Sequence, residues 1–236
     1  MDADSVLPRR SPLLFRALIL VLVLAVFATG VLLVRAIFFQ PRTPRTAAEK
    51  AIFDAELAVR KDPRDAKARA DLGVAYAMAG NYNKGVTELN TSLRLNPKLA
   101  NTYYVLGIVH RLRGDLGDAA KYLERAVAFE EQFSDFYSKT YYELGKVYFS
   151  QKKYRKAVTA FEEARSNAPM AGDILFDLGR AYEKIGEKES AIDAYWRGLQ
   201  YDSQDKSGVA ALKRLGATEA LRDLGIKFEE TKESKK

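Results

Sequence analysis

A five-residue block recurs four times along this chain, and its spacing constrains the fold more than any other feature. LGVAY (Leu72–Tyr76) returns as LGIVH (Leu106–His110), LGKVY (Leu144–Tyr148) and LGRAY (Leu178–Tyr182). The glycines Gly73, Gly107, Gly145 and Gly179 are 34, 38 and 34 residues apart. A unit this short cannot bury its apolar residues alone, so the copies must stack and share one core running along the array.

More of the pattern keeps phase with the glycine. Three residues after it comes a ring, Tyr76, His110, Tyr148 or Tyr182. Twelve residues after it comes a small side chain: Gly85, Ala119, Ala157 or Ala191. Four further on is a large apolar residue (Leu89, Leu123, Phe161, Tyr195), and then another small one (Ser92, Ala126, Ala164, Gly198). Pro97 and Pro169 close two of the units. In period and motif, residues 46–205 resemble the tetratricopeptide repeat family. Its customary tryptophan early in each unit is absent, with Arg69, Tyr103, Tyr141 and Leu175 in that place. The resemblance implies an all-α solenoid of antiparallel helix pairs. In such a pair the glycine admits close helix approach, the alanines admit close stacking and the large residues fill the seam.

The ends of the array depart from the pattern. Thr46–Lys61 matches only the second half of a unit, with Ala51, Ala55, Ala58 and Pro63 in phase. Residues 206–225 read as two capping helices, and 226–236 as a charged tail. The four extra residues between the second and third units fall near Glu131–Tyr137, where they add about one helical turn. Phe133, Phe136 and Tyr137 there require packing partners.

Ahead of the array lies a different kind of segment. Ala17–Val34 is apolar and uncharged throughout, about 27 Å long as a helix, which matches the hydrocarbon thickness of a bilayer. Framed by Arg16 and Arg35, it extends to a membrane anchor over 13–39, between a short tail (1–12) and a Pro41/Pro44 linker (40–45). A cleaved signal peptide is the rival reading, with Arg9–Arg10 as its basic region and Val26–Ala28 as the cleavage site. The apolar run continues past that site, which favours an uncleaved anchor. Pro12, standing among residues that should be strongly apolar, speaks against a twin-arginine leader. Flanking charge gives little direction, and the short tail is that of a signal anchor with the repeats outside the cytoplasm.

Charge and residue counts then exclude most chemistry. The formal charge is +7, of which the first 45 residues carry +4 through six arginines and two aspartates. The repeats therefore mix both signs without the basic clustering of a nucleic-acid groove. No cysteine and a single histidine, His110, remove thiolate sites and histidine-based zinc or triad constellations. His110 stands where the other units place tyrosine and reads as a packed ring. Asn90–Ser92 matches a glycosylation sequon inside a predicted helix and is incidental. No cofactor and no enzymatic centre is expected.

The resemblance also implies a binding surface, because the first helix of each unit lines a concave groove in this family. Residues three before and one after each glycine share one helical face. They are Ala70 and Val74, Tyr104 and Ile108, Tyr142 and Lys146, Phe176 and Arg180, extended by Met78, Arg111, Leu112 and Phe149. The groove expected from them is apolar and aromatic first, then cationic. It lacks the lysine and asparagine set of members that clamp a peptide carboxylate. Anchored arrays of this layout resemble assembly factors for envelope complexes, and the reading is a membrane-tethered scaffold for a partner protein or peptide. A glycan- or peptidoglycan-associated regulator and an organelle-surface targeting receptor stay open as alternatives.

Overall fold

The computed structural model describes residues 12–38, 46–129, 135–168 and 172–226. Two compact units emerge, Met1–Arg45 and Thr46–Lys236. In the first, Pro12–Phe38 forms one helix, α1, of 27 residues. Its described side chains are exposed and, Thr29 apart, apolar, with Val26 and Phe27 at 70% and 71%. Over the residues whose side chains are described, no helix is long and apolar enough to cross a membrane. The linker over 40–45 and most of the charged tail lie outside the described residues.

The second unit is helical throughout its described length. It opens with α2 (Ala47–Lys61), capped by a reciprocal pair in which the Glu49 N–H donates to Thr46 Oγ1 (3.1 Å) and the Thr46 N–H to Glu49 Oε2 (3.3 Å). Four antiparallel pairs follow: α3 (Ala66–Met78) with α4 (Tyr82–Leu95), and α5 (Ala100–Arg113) with α6 (Leu116–Ala128). The third pair is α7 (Asp135–Ser150) with α8 (Tyr154–Asn167), and the fourth α9 (Gly172–Ile185) with α10 (Lys188–Tyr201). Helices α11 (Lys206–Arg214) and α12 (Thr218–Asp223) cover the far end. Each pair turns through a left-handed residue at the same place in its unit: Gly80, Gly114, Lys152 and Gly186. Three are glycines because this conformation crowds a Cβ, and Lys152 accepts the strain at φ 59°.

The Leu-Gly block does what its composition requires. A Cβ built on Gly107 would lie 2.5 Å from Leu123 Cγ, and one on Gly145 2.5 Å from the Phe161 ring. Each second helix thus presses its large residue onto the bare backbone of the first. Leu89, Leu123, Phe161 and Tyr195, the residues sixteen after the four glycines, are all essentially inaccessible to water. Beside them Ala119, Ala157 and Ala191 are fully buried, so the helices stack without a gap.

The insertion between the second and third pairs lengthens α7 to 16 residues, against 14 in α5 and α9; residues 130–134 lie outside the described part. Phe136 meets Tyr104 (ring centroids 5.2 Å) and Tyr137 meets Tyr141 (4.5 Å). Phe133 is not among the described residues.

Neighbouring units are also tied by a recurring hydrogen bond. The tyrosine three after the glycine donates its hydroxyl to a glutamate on the preceding second helix: Tyr76 to Glu56 (2.7 Å), Tyr148 to Glu124 (2.5 Å) and Tyr182 to Glu162 (2.8 Å). Donating that bond, together with burial and the carboxylate's charge, pushes the Tyr76 pKa up to about 12, and burial followed by the Glu162 bond does the same for Tyr182. In the second unit His110 stands in the tyrosine's place and Asn90 in the glutamate's. The histidine is buried, stacks on Tyr122 (5.2 Å) and turns Nδ1 toward Asp115 of its own turn (3.3 Å).

Candidate protein-binding groove

Along one side of the array the first helices approach each other directly, α3 with α5, α5 with α7 and α7 with α9. The second helices make no comparable approach, so the first helices form the inner row of a curved stack. Side chains from successive inner helices then meet. The Arg111 guanidinium of α5 reaches Glu143 of α7 (2.9 Å). The Tyr142 hydroxyl of α7 donates to Asp177 Oδ2 of α9 (3.0 Å), and Arg180 of α9 lies over the Phe149 ring of α7 (5.3 Å).

Electrostatics of this row differ from a cationic groove. Lys146 pairs with Glu143 (3.0 Å) on its own helix while lying over the Tyr142 ring (5.0 Å). Arg180 pairs with Asp177 (3.0 Å). Glu143 thus serves two cations and Asp177 one, which leaves little free positive charge. Tyr142 is half-buried, and burial together with the Asp177 carboxylate pushes its pKa far above the usual value. It remains a neutral donor at any physiological pH. Burial likewise raises Tyr104, with Glu143 adding to it.

The expected site residues divide between surface and core. Val74, Tyr104, Ile108, Arg111, Tyr142, Lys146 and Phe149 are partly exposed along the row, Arg180 is exposed, and Met78 is 82% exposed. Leu112, at the same place in α5 as Met78 in α3, is 53% exposed. Phe176 does not belong with them. It is buried at 8%, and its ring fills the space where a Cβ on Gly198 (2.6 Å) or Gly208 (2.7 Å) would fall. The two glycines open a slot between α10 and α11 that swallows the ring, so the aromatic row ends at Tyr142. Ala70 is buried as well.

Family models for the tetratricopeptide repeat match residues 99–170 and residues 142–205. Residues 99–205 of the chain are tetratricopeptide repeats. The chain is 25% identical over 146 residues to superkiller complex protein 3 of Homo sapiens, covering 59% of this chain and 9% of that protein. It is 27% identical over 145 residues to the BBSome complex member BBS4 of Bos taurus, covering 61% of this chain and 27% of the other. The chain therefore spans no more than about a quarter of the curated relatives first matched. Among solved structures it resembles YrrB, described as a TPR protein with an unusual peptide-binding site. That match has a TM-score of 0.61 at 20% identity and covers 70% of this chain and 84% of YrrB. The chain's repeats are those of a protein–protein interaction scaffold.

Two residues that shape the groove of this repeat protein escape a search for cations and rings. Glu143 and Asp177 occupy the position two before the repeat glycine, which Asp71 holds in the first unit. An acid at one phase in three of four units was visible as a pattern. What it accepts becomes visible only once α5, α7 and α9 lie side by side.

Proposed function

We propose that the chain is a membrane-tethered scaffold that captures an extended or helical segment of a partner protein along the inner row of its repeats. The observation that carries this reading is the run of uncovered apolar side chains on adjacent inner helices. Met78 and Leu112 are largely exposed, Ile108 and Phe149 partly so, and Tyr104 and Tyr142 lie between them. Exposed apolar patches rimmed by polar groups mark interaction sites on otherwise soluble surfaces. Because the row's cations are already paired, selection rests on apolar and aromatic contact, and paired charges at its far end set register rather than affinity.

The tether is α1. Support comes from the sequence Ala17–Val34, uncharged and apolar on every face, within a helix of 27 residues. We place the repeats on the extracytoplasmic side, where a scaffold of this kind would serve assembly of an envelope complex.

Photo-crosslinking tests the capture surface. With p-benzoylphenylalanine in place of Leu112, membranes should yield a discrete crosslinked partner, and with it in place of the exposed outer residue Thr159 they should not. Equal yields at both positions would remove the inner row from consideration. An alkaline carbonate wash tests the tether separately. Retention of the full chain and release of a fragment starting at Thr46 are expected, and release of the full chain would overturn it.

A further inference from the structure

The second helices α4, α6, α8 and α10 run for 13 or 14 residues, but α12, which occupies the next such place, stops after 6. A full-length helix there would cover the outer flank of α10. Its early end leaves a groove of about 580 Å³ between α10, the α11–α12 turn and α12. The floor includes Ile192 and Trp196, the only tryptophan in the chain. Four carboxylates stand around it, Glu189 and Asp193 from α10 and Glu219 and Asp223 from α12, and no lysine or arginine lines it. Of the four, Asp193 is held by Arg197 (2.9 Å). This concentration of acid occurs in a chain whose formal charge is +7, so it does not follow from composition.

We propose that this groove is a second docking site, independent of the inner row, for a basic segment of a partner protein carrying an apolar anchor. The apolar residue of such a segment would cover Ile192, and a lysine or arginine would lie on the Trp196 ring within reach of the carboxylates. Charge complementarity selects this occupant. An acidic or neutral segment would bury Glu189, Glu219 and Asp223 against an apolar floor with no cation lining the groove to balance them. A cation over tryptophan adds an attraction that the same ring cannot offer to an anion. Arginine and tryptophan are also the residues that dominate protein contacts once desolvated.

Trp196 provides the readout, because no other tryptophan contributes to the emission. The full chain in neutral detergent is titrated with acetyl-Leu-Arg-Lys-Ile-Arg-amide while tryptophan emission is followed. A saturable blue shift is expected, weakening about tenfold on moving from low to high salt as the charges are screened. Neutralising the rim with Glu219→Gln and Asp223→Asn should weaken binding about tenfold. Met78→Ala, on the inner row, should leave it unchanged. The peptide acetyl-Leu-Glu-Glu-Ile-Glu-amide should produce no shift. The proposal is overturned if the basic peptide gives no shift, if the acidic peptide gives an equal one, or if the rim variants bind as tightly as the parent. It is overturned too if removing residues 227–236 itself red-shifts Trp196, since the chain's own end would then fill the groove.

Discussion

Gly107→Ala is the substitution that most directly tests how the units are held together. The added methyl group would start 2.5 Å from Leu123 Cγ and 2.8 Å from its Cδ2, about 1 Å inside a comfortable carbon–carbon contact. Leu123 cannot yield outward, because it is fully buried among Ala119, Ala120 and Leu144. Overpacking of this kind costs about 1–3 kcal/mol. Against it stands the roughly 1 kcal/mol that alanine gains over glycine inside a helix. The net expectation is a loss of up to about 2 kcal/mol, against the 5–15 kcal/mol typical of a domain. The remedy follows from the same geometry. Leu123→Ala alone should cost about 2–5 kcal/mol through the cavity it leaves. Combined with Gly107→Ala it should cost no more, since the new methyl enters the vacated space. Urea unfolding of the 46–236 fragment, followed by helical circular dichroism, measures the cycle. A Gly107→Ala protein about 1 kcal/mol more stable than the parent, as helix propensity alone would make it, or two losses that simply add, would refute the close-approach argument.

Four further outcomes follow from other contacts. Phe176→Ala should destabilise the array by about 3–5 kcal/mol in the same urea assay, because it empties a core slot; a change under about 1 kcal/mol would return Phe176 to the groove. Tyr142→Phe, which only deletes the bond to Asp177, should cost about 1 kcal/mol. Lys152→Gly should stabilise by about 1 kcal/mol by relieving the left-handed turn, readable as a higher urea midpoint. The fragment should also lose helicity in alkali. Tyr76 and Tyr182 are raised from 10 to about 12 in the folded state, so their stabilisation is intact below pH 10 and is lost as the pH rises toward 12. Tyr76→Phe and Tyr182→Phe together should flatten that alkaline slope.

The fold was legible because one unit's rules repeat. Gly107 and Leu123 lie sixteen residues apart in the sequence and touch in space, and so do Gly73 and Leu89. Any reader who aligns the four units obtains that contact without coordinates. The groove was legible only in part, for a physical reason. Helical phase assigns Tyr104, Tyr142 and Phe176 to one face, but exposure depends on what the neighbouring helix offers. At Phe176 it offers Gly198 and Gly208, which in the other units have no counterpart aligned to receive a ring. The cations of the row were found by inspection of single positions. Their neutralisation by Glu143 and Asp177 needed the side-by-side placement of three helices.

The missing tyrosine–glutamate bond at His110 has a mechanical meaning. Three seams along the stack are bolted by a phenol–carboxylate pair, whereas the seam between α4 and α5 has Asn90 and His110 at those positions and brings fewer residues together. A pull applied at Thr46 against a partner held further along would carry force along the chain. The joint that yields first should be this one, parting α2–α4 from a block running from α5 to α12 while that block keeps its shape. Load applied at Thr46 would then be absorbed as an early, reversible extension of about fifty residues before the packing within α5–α12 is disturbed.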